Sequence, residues 1–170
     1  MNTPMRILAL DLATKTGWAL QANDRKESGV QDFSVERGES AGMRFVKFNR
    51  WLNAIAMESV ATTPAGQTIR CPAVDLIVYE MPHLRGGAAA EVLSGFSTRV
   101  HEFCALNNVN HQSVHSQSLK KFITGKGNAS KEDVMRVVRA FDNTLSIIDD
   151  NHADALALLA YARHHYEPVP

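Results

Sequence analysis

The chain has 170 residues, which suits a single domain spanning residues 1–170. Hydrophobic residues make up 45% of it and charged residues 21%, and 18 Lys and Arg balance 18 Asp and Glu. This composition excludes disordered, fibrous and disulfide-rich proteins, and the balanced charge indicates no class of partner. No apolar run approaches the roughly 20 residues that cross a bilayer, so we expect no membrane contact.

Three short strands are predicted in the N-terminal part of the chain. They cover residues 6–11, 16–20 and 29–35, where short apolar runs are separated by polar turns. Close spacing and short polar connections favour an antiparallel meander.

A helix is predicted from Ser40 to about Val60. Residues 62–72 contain two prolines and a glycine and are predicted to form a loop. Apolar residues recur every three or four positions along the helix, which places them on one face: Phe45, Phe48, Leu52 and Ile55.

The second half of the chain is predicted to alternate strands with helices. Residues 74–80 are almost continuously apolar, as in a strand that is buried on both faces. These elements favour a mixed α/β sheet flanked by helices. The other predicted elements are a helix over 89–103, a strand over 109–114, a helix over 116–123, a glycine-rich loop over 124–129, a helix that Ser130 caps together with Asp133, and a last helix that begins at 149–151 and continues through 160.

Two sets of side chains have simple structural interpretations. The aromatic residues of the helices over 40–60 and 89–103 pack either in the core or against a partner, and core packing is the more common outcome. Cys71 and Cys104 lie far apart and lack a CxxC partner, so we expect two reduced thiols rather than a zinc site or a disulfide.

Three acidic residues lie in unusual positions. Asp11 and Glu80 each end an apolar strand, and Asp154 lies within an apolar helix. Buried carboxylates are rare unless they are paired or bind a metal, because desolvating a charge is costly. Acids at neighbouring strand ends that face a helical acid suit Mg²⁺ or Mn²⁺, and two such ions can promote hydrolysis of a phosphodiester. The alternative is that each acid only marks where an element meets solvent.

Polar residues also precede Asp154. Asp150 lies four residues before it, so on a continuous helix both carboxylates project from one face. Asp149 and Asp150 also suit a helix N-terminus, where acids cap the helix and interact with its dipole. His152 lies roughly 200° around the helix from Asp154, which is a poor geometry for sharing one metal. A role for His152 in proton transfer or phosphate positioning stays open beside a structural one.

Positive charge is concentrated between residues 115 and 139, which hold six Lys and Arg but two Asp and Glu. The segment contains a Gly-Lys-Gly-Asn loop over 125–128, whose backbone amides can approach phosphates closely. A solvated surface is the alternative interpretation. The candidate nucleic-acid contacts are Lys120, Lys121, Lys126 and Lys131, together with Arg85 in a second loop that contains glycine.

Four motifs occur in an order and at separations that match a known family. In these motifs the chain resembles the RuvC family of Holliday-junction resolvases, especially its compact phage-type members. The resemblance covers nearly the whole chain and implies a ribonuclease H-like fold with a five-stranded mixed sheet. The motifs are residues 7–11 with Gly17 downstream, residues 78–80, residues 119–131 and residues 151–157.

The resemblance implies a homodimeric, Mg²⁺-dependent endonuclease that makes paired nicks across a four-way DNA junction and leaves 5′-phosphates. It implies two Mg²⁺ ions, which Mn²⁺ can replace, and a cytoplasmic location in a bacterium or a phage-infected bacterium. Asp11, Glu80 and Asp154 fall on the family's catalytic acids, which bind the metal. Lys120 and Lys131 fall on its DNA-contacting lysines.

The chain departs from the family pattern at two positions. Bacterial members have an acid three residues before the last aspartate, where this chain has Asn151. Asp150 is the natural substitute as a fourth catalytic and metal-binding acid, with His152 as a possible auxiliary residue. Some members place an aromatic residue three positions after the strand glutamate to stack at the junction centre. This chain has His83 there, and we expect it to contact DNA.

A second function of the same fold stays open, namely a nuclease that cuts RNA–DNA hybrids, flaps or other branched DNA. Fold alone does not decide between these substrates, although the lysine-rich segment favours the junction. An actin-like ATPase is disfavoured because it needs two domains and a second glycine-rich phosphate loop. A DNA-binding module without activity is disfavoured because all three acids are present.

Overall fold

The computed structural model describes residues 4–82, 86–141 and 146–167, and within these ranges the chain forms seven strands and five helices. The strands are β1 (Ile7–Asp11), β2 (Lys15–Ala22), β3 (Arg25–Asp32), β4 (Met57–Thr62), β5 (Thr68–Pro72), β6 (Leu76–Glu80) and β7 (Asn110–Val114). The helices are α1 (Met43–Ala56), α2 (Gly87–Asn107), α3 (Ser116–Thr124), α4 (Lys131–Phe141) and α5 (Asp150–Tyr166).

Five of these strands form the central sheet, in the order β3-β2-β1-β6-β7. The first three strands pair antiparallel, whereas β6 pairs parallel with both β1 and β7. The predicted mixed five-stranded sheet is therefore confirmed. Because successive side chains of a strand point to opposite faces, Leu8 and Leu10 of β1 enter one core while Ile7 and Ala9 enter the other.

The first core lies between the sheet and the helices α1 and α2. Phe33, Phe48 and Phe96 meet at its centre, each at most 1% exposed, with ring centroids 5.0 to 5.8 Å apart. Edge-to-face and tilted contacts of this kind add to the stability that aromatic burial provides. The aromatic residues of α1 and α2 thus contribute to the core, as expected.

The second core lies on the opposite face of the sheet, under α3, α4 and α5. The α5 residues buried in this core are small or aliphatic, and Ala155, Ala157 and Leu158 are fully buried. Small side chains let a helix approach a sheet closely, because little volume separates the two backbones. This packing places α5 across β1 and β2 and so decides where its polar residues lie.

The segment after α1 differs from the sequence prediction. The helix that was expected to reach Val60 ends at Ala56, and the expected loop over residues 62–72 contains the strand β5. Strands β4 and β5 pair antiparallel as a hairpin, with the φ of Gly66 at 81° in its turn. The helical spacing of apolar residues stops at Ile55. Beyond it, Ala61 pairs with Ile69 and Thr62 with Thr68 across the hairpin, and the helix pattern did not reveal these pairs.

The cap predicted for the helix that follows Ser130 is confirmed. The backbone N–H of Asp133 donates to Ser130 Oγ, and the N–H of Ser130 donates to Asp133 Oδ2, so the capping box is present.

Both cysteines are free thiols, with Cys104 buried and Cys71 half-buried. Across the described ranges, the structure contains no helix with the length and apolar character needed to cross a membrane.

Candidate active site

Three carboxylates meet at the carboxyl ends of two inner strands of the central sheet. Asp11 ends β1, Glu80 ends β6, and Asp154 lies in the second turn of α5. One carboxylate oxygen from each residue can be chosen so that all three lie within 4.8 Å of one another. All three residues are half-buried. The structure therefore brings together the three acids that the sequence analysis singled out.

The sheet register explains two of the three positions. Leu10 of β1 pairs with Tyr79 of β6 in a parallel ladder, so the next residue of each strand, Asp11 and Glu80, ends the strand at the same edge. The carboxyl ends of neighbouring parallel strands are where open α/β sheets usually place a binding site.

A glycine on β2 allows α5 to supply the third acid. Gly17 pairs with Asp11 in the antiparallel ladder, and a Cβ atom on Gly17 would overlap the backbone carbonyl of Asn151 in the first turn of α5. Only glycine lets the helix start lie this close to the strand. The close approach brings Asp154 over the end of β1.

Electrostatics at this edge favours a bound cation. Burial raises the pKa of Asp11 well above its ordinary value, and the charges of Asp154 and Glu80 add to the rise. Burial likewise raises the pKa of Asp154 to about 6, with Glu80 as the next largest cause. Carboxylates that repel one another in a desolvated place are stabilised in their charged form by a positive ion.

The donor set fits a hard divalent cation. All three candidate ligands are carboxylate oxygens, which Mg²⁺, Mn²⁺ and Ca²⁺ prefer, whereas zinc sites are mainly built from sulfur and nitrogen. Among the described residues, this is the only group of three His, Cys, Asp or Glu side chains arranged closely enough to hold a metal. The residues present therefore fit the ion that the sequence analysis implied.

Asp150 lies outside this group of three acids. Its carboxylate accepts a hydrogen bond from the ammonium group of Lys131, and this bond lowers the pKa of Asp150 and raises that of Lys131. Both side chains are partly exposed, at 38% for Asp150 and 66% for Lys131.

A cleft of about 300 Å³ opens over the three acids. Lys120 and Lys131 line it from α3 and α4, so two of the predicted nucleic-acid contacts lie beside the carboxylates. Asn151, which occupies the family's fourth acidic position, also lines the cleft, and its Nδ2 donates to the backbone oxygen of Lys15 at 3.0 Å. Ser116 lines the cleft as well, and no sequence motif drew attention to it.

The other predicted nucleic-acid contacts do not line the cleft. Lys121 and Lys126 are exposed on α3 and on the loop that follows it. His83 and Arg85 lie outside the described residues.

His152 is buried next to the site, with 3% of its surface exposed. Its Nδ1 accepts the backbone N–H of Ile148 at 3.1 Å, and its Nε2 lies 2.9 Å from Ser28 Oγ on β3. Burial lowers the pKa of His152, and the charge of Asp149 partly opposes this. Asp149 caps α5 by accepting the backbone N–H of His152 at 2.9 Å, which agrees with its predicted capping role.

Comparison of the sequence with known proteins gives one local similarity. Over 58 residues, the chain is 43% identical to the crossover junction endodeoxyribonuclease RuvC of Brachyspira hyodysenteriae. The matched segment is 34% of this chain and 36% of that protein, so the alignment spans about a third of the length of the relative. No family model matches the sequence.

Comparison with solved structures covers nearly the whole chain. The fold matches the Thermus thermophilus RuvC structure with a TM-score of 0.68 and 17% sequence identity, over 96% of this chain and 98% of that one. The structure of T. thermophilus RuvC in complex with a Holliday junction substrate matches with the same values. The chain therefore has the fold of RuvC, which confirms the fold that the motif resemblance implied.

Proposed function

We propose that this chain is a RuvC-type endonuclease that resolves four-way DNA junctions by paired nicks and leaves 5′-phosphates. The observation that carries the proposal is the group of carboxylates from Asp11, Glu80 and Asp154 at the carboxyl ends of β1 and β6. The match of the fold to a RuvC bound to a Holliday junction supports the choice of substrate. The 58-residue similarity to a second RuvC supports it independently of the fold.

Asp11, Glu80 and Asp154 would hold two Mg²⁺ ions, which Mn²⁺ can replace. When bound, these ions would supply the positive charge that activates a water for attack on phosphorus and that offsets charge on the departing 3′-oxygen. The half-buried position of the acids strengthens this electrostatic stabilisation, because water screens it less.

The lysines that line the cleft would hold the DNA backbone. Lys120 and Lys131 line the cleft beside the acids, and each presents a compact positive charge with three donors, which suits phosphate oxygens. Lys121 and Lys126, exposed on α3 and on the loop after it, would extend this contact along the DNA backbone. His83 and Arg85 stay predictions as further DNA contacts.

Asp150 stays a prediction as the fourth metal ligand and catalytic acid. Its carboxylate is bonded to Lys131, so it can join the other three acids only by exchanging that partner. Titration of Mn²⁺ into the Asp150→Asn and Asp154→Asn variants tests the assignment. A ligand role predicts weaker Mn²⁺ binding in both variants, whereas unchanged affinity in Asp150→Asn removes Asp150 from the metal site.

Paired nicks imply two active sites, and we infer that the protein acts as a homodimer. A four-way junction presents equivalent cleavage positions in opposite strands, and a two-fold symmetric dimer places one catalytic centre at each. Light scattering after size-exclusion chromatography tests the dimer, and a monomer that still cut both strands in one binding event would contradict it.

The experiment that tests the function compares four labelled substrates: a four-way junction, a flap, an RNA–DNA hybrid and a plain duplex, each with and without Mg²⁺. Asp11→Asn serves as the inactive variant. Asp24→Asn serves as its matched control, because Asp24 lies exposed in the turn between β2 and β3.

The proposal predicts symmetric, metal-dependent nicks confined to the junction, lost in Asp11→Asn and kept in Asp24→Asn. Cutting of the hybrid or the flap with the junction left intact would contradict the proposed substrate. The proposed metal site would still stand. Equal activity of Asp11→Asn and the native protein would remove the three carboxylates from the chemistry.

A further inference from the structure

The buried histidine at the start of α5 connects two distant parts of the chain. The backbone N–H of Ile148 can only donate, so Nδ1 of His152 is the acceptor and carries no proton. Its Nε2 therefore carries the ring proton and donates to Ser28 Oγ. The imidazole thus links the loop before α5 to Ser28 of β3, which lies 124 positions before His152 in sequence.

Two further contacts hold the same turn of the helix. Asn151 Nδ2 donates to the backbone oxygen of Lys15 at the start of β2. Gly17, also on β2, leaves the space that the backbone carbonyl of Asn151 occupies. The first turn of α5 is therefore fixed to both strands of the β2–β3 hairpin, by polar contacts and by close packing.

From these contacts we infer that His152 is a positioning residue, which acts through Ser28 to hold the first turn of α5 so that the carboxylate of Asp154 lies with Asp11 and Glu80. Asp154 follows His152 by two residues on the same rigid helix, so a shift of the helix start moves its carboxylate. The inference rests on the proposed metal site.

The same geometry separates this role from ligation and from proton transfer. Both ring nitrogens of His152 have partners, so neither is free to bind a metal or to accept a proton from a water while these contacts last. His152 therefore acts on the site through the position of the helix. Groups that orient metal ligands in this indirect way typically change metal affinity by about 10- to 100-fold when they are replaced.

Three variants separate the contacts of the imidazole. Ser28→Ala removes the partner on β3 and leaves α5 unchanged. His152→Asn keeps an acceptor near the position of Nδ1 and removes the bond to Ser28. His152→Gln keeps a donor near the position of Nε2, so it can still reach Ser28. Ser59→Ala, at an exposed position of β4, is the matched control for a deleted hydroxyl.

The measurement is the Mn²⁺ affinity of each variant in the absence of DNA, by electron paramagnetic resonance titration, with the melting temperature recorded alongside. We expect Ser28→Ala and His152→Asn each to weaken Mn²⁺ binding about tenfold. The double variant that combines Ser28→Ala with His152→Asn should bind Mn²⁺ no more weakly than His152→Asn alone. His152→Gln should stay within about threefold of the native protein, as rescue by the variant that keeps the bond to Ser28.

Two outcomes would overturn the inference. If Ser28→Ala bound Mn²⁺ like the Ser59→Ala control while His152→Asn bound it more weakly, His152 would act on the site without Ser28. If both variants lowered the melting temperature and left Mn²⁺ affinity unchanged, the contact would only stabilise the fold.

Failure of the proposed function gives a different pattern. In one case the native protein binds Mn²⁺ and the variants show the expected losses of affinity, while no junction is cut. That result would contradict the proposed substrate and leave the role of His152 intact. A native protein that bound no Mn²⁺ at this site would overturn both.

Discussion

The two ends of the adjacent parallel strands β1 and β6 carry acids in opposite electrostatic settings. At the carboxyl ends, Asp11 and Glu80 face a third acid, and the pKa of Asp11 is raised by burial and by its acidic neighbours. At the amino ends, Asp75 lies directly against Arg6, and hydrogen bonding to that guanidinium lowers the pKa of Asp75.

The difference shows how position in the sheet separates an acid in a structural ion pair from an acid of the candidate metal site. The guanidinium of Arg6 donates to both carboxylate oxygens of Asp75 and also to Glu58, so the negative charge at this end is compensated within the chain. The acids at the other end lack such a compensating arginine among the described residues, and a metal ion would take its place. Substitutions at the two ends should therefore have different consequences.

The largest expected effect is on catalysis, from Asp11→Asn. Losing one of the three carboxylates proposed to bind metal should lower junction cleavage about a thousandfold, which corresponds to about 4 kcal/mol of transition-state stabilisation. Junction binding should persist, because the proposal assigns the DNA contacts to lysines and not to the acids. Single-turnover cleavage and gel-shift assays measure the two quantities. Asp75→Asn is the control from the other end of the strands, and an equal loss of cleavage there would contradict the comparison.

The next largest effect is expected from Gly17→Ala, which tests whether close packing of α5 on β2 keeps Asp154 near Asp11 and Glu80. The new methyl group would overlap the carbonyl of Asn151, so α5 must move and cleavage should fall together with stability. We expect a loss of about 1–3 kcal/mol in the free energy of unfolding, as for other overpacked sites, measured by urea denaturation. In Gly42→Ala the nearest atom is an ordinary 3.7 Å away, so this variant should leave both cleavage and stability near native values.

A smaller effect is expected on DNA affinity from Lys120→Gln and Lys131→Gln. Each variant should bind the junction several-fold more weakly at low salt, and the slope of log K against log salt should become shallower by about 0.9 for each phosphate that is no longer neutralised. Lys26→Gln is the control, because Lys26 is exposed beside the β2–β3 turn at the end of the hairpin far from the acids. A salt slope unchanged from the native value would show that the cleft lysines do not bind phosphates.

The smallest effect is expected from Asp75→Asn, on stability and its pH dependence. Because the folded-state pKa of Asp75 lies below its ordinary value, the Arg6 contact contributes stability at neutral pH, and this contribution disappears as the pH falls through the folded-state pKa. Both side chains are partly exposed, so we expect a loss of about 1 kcal/mol at pH 7. Urea denaturation of both proteins should show the difference shrinking below about pH 4, whereas a constant difference would contradict the ion-pair explanation.

The elements and the three acids could be predicted from local sequence patterns. An apolar run that stops at an acid indicates a strand end, which is how Asp11 and Glu80 stood out, and an aspartate within an apolar helix drew attention to Asp154. The hairpin of β4 and β5 was missed because its stability comes from pairing between segments, which a single segment does not reveal.

Contacts between distant segments could not be predicted in this way. Helical spacing favoured Asp150 as the partner of Asp154, and only the packed structure shows its carboxylate against Lys131, whose ammonium group comes from α4. The link from His152 to Ser28 joins residues 124 positions apart, and no motif in either segment indicates it.

The sequence by itself determined the class of fold and the three candidate acids, because hydrophobic periodicity and the cost of burying a charge act locally along the chain. The tertiary structure decided which of these residues meet. The parallel register of β1 and β6 aligned two acids, and the close packing of α5 over Gly17 added the third. The distances between the three carboxylates depend on how whole elements pack, and packing is a property of the folded chain rather than of any segment.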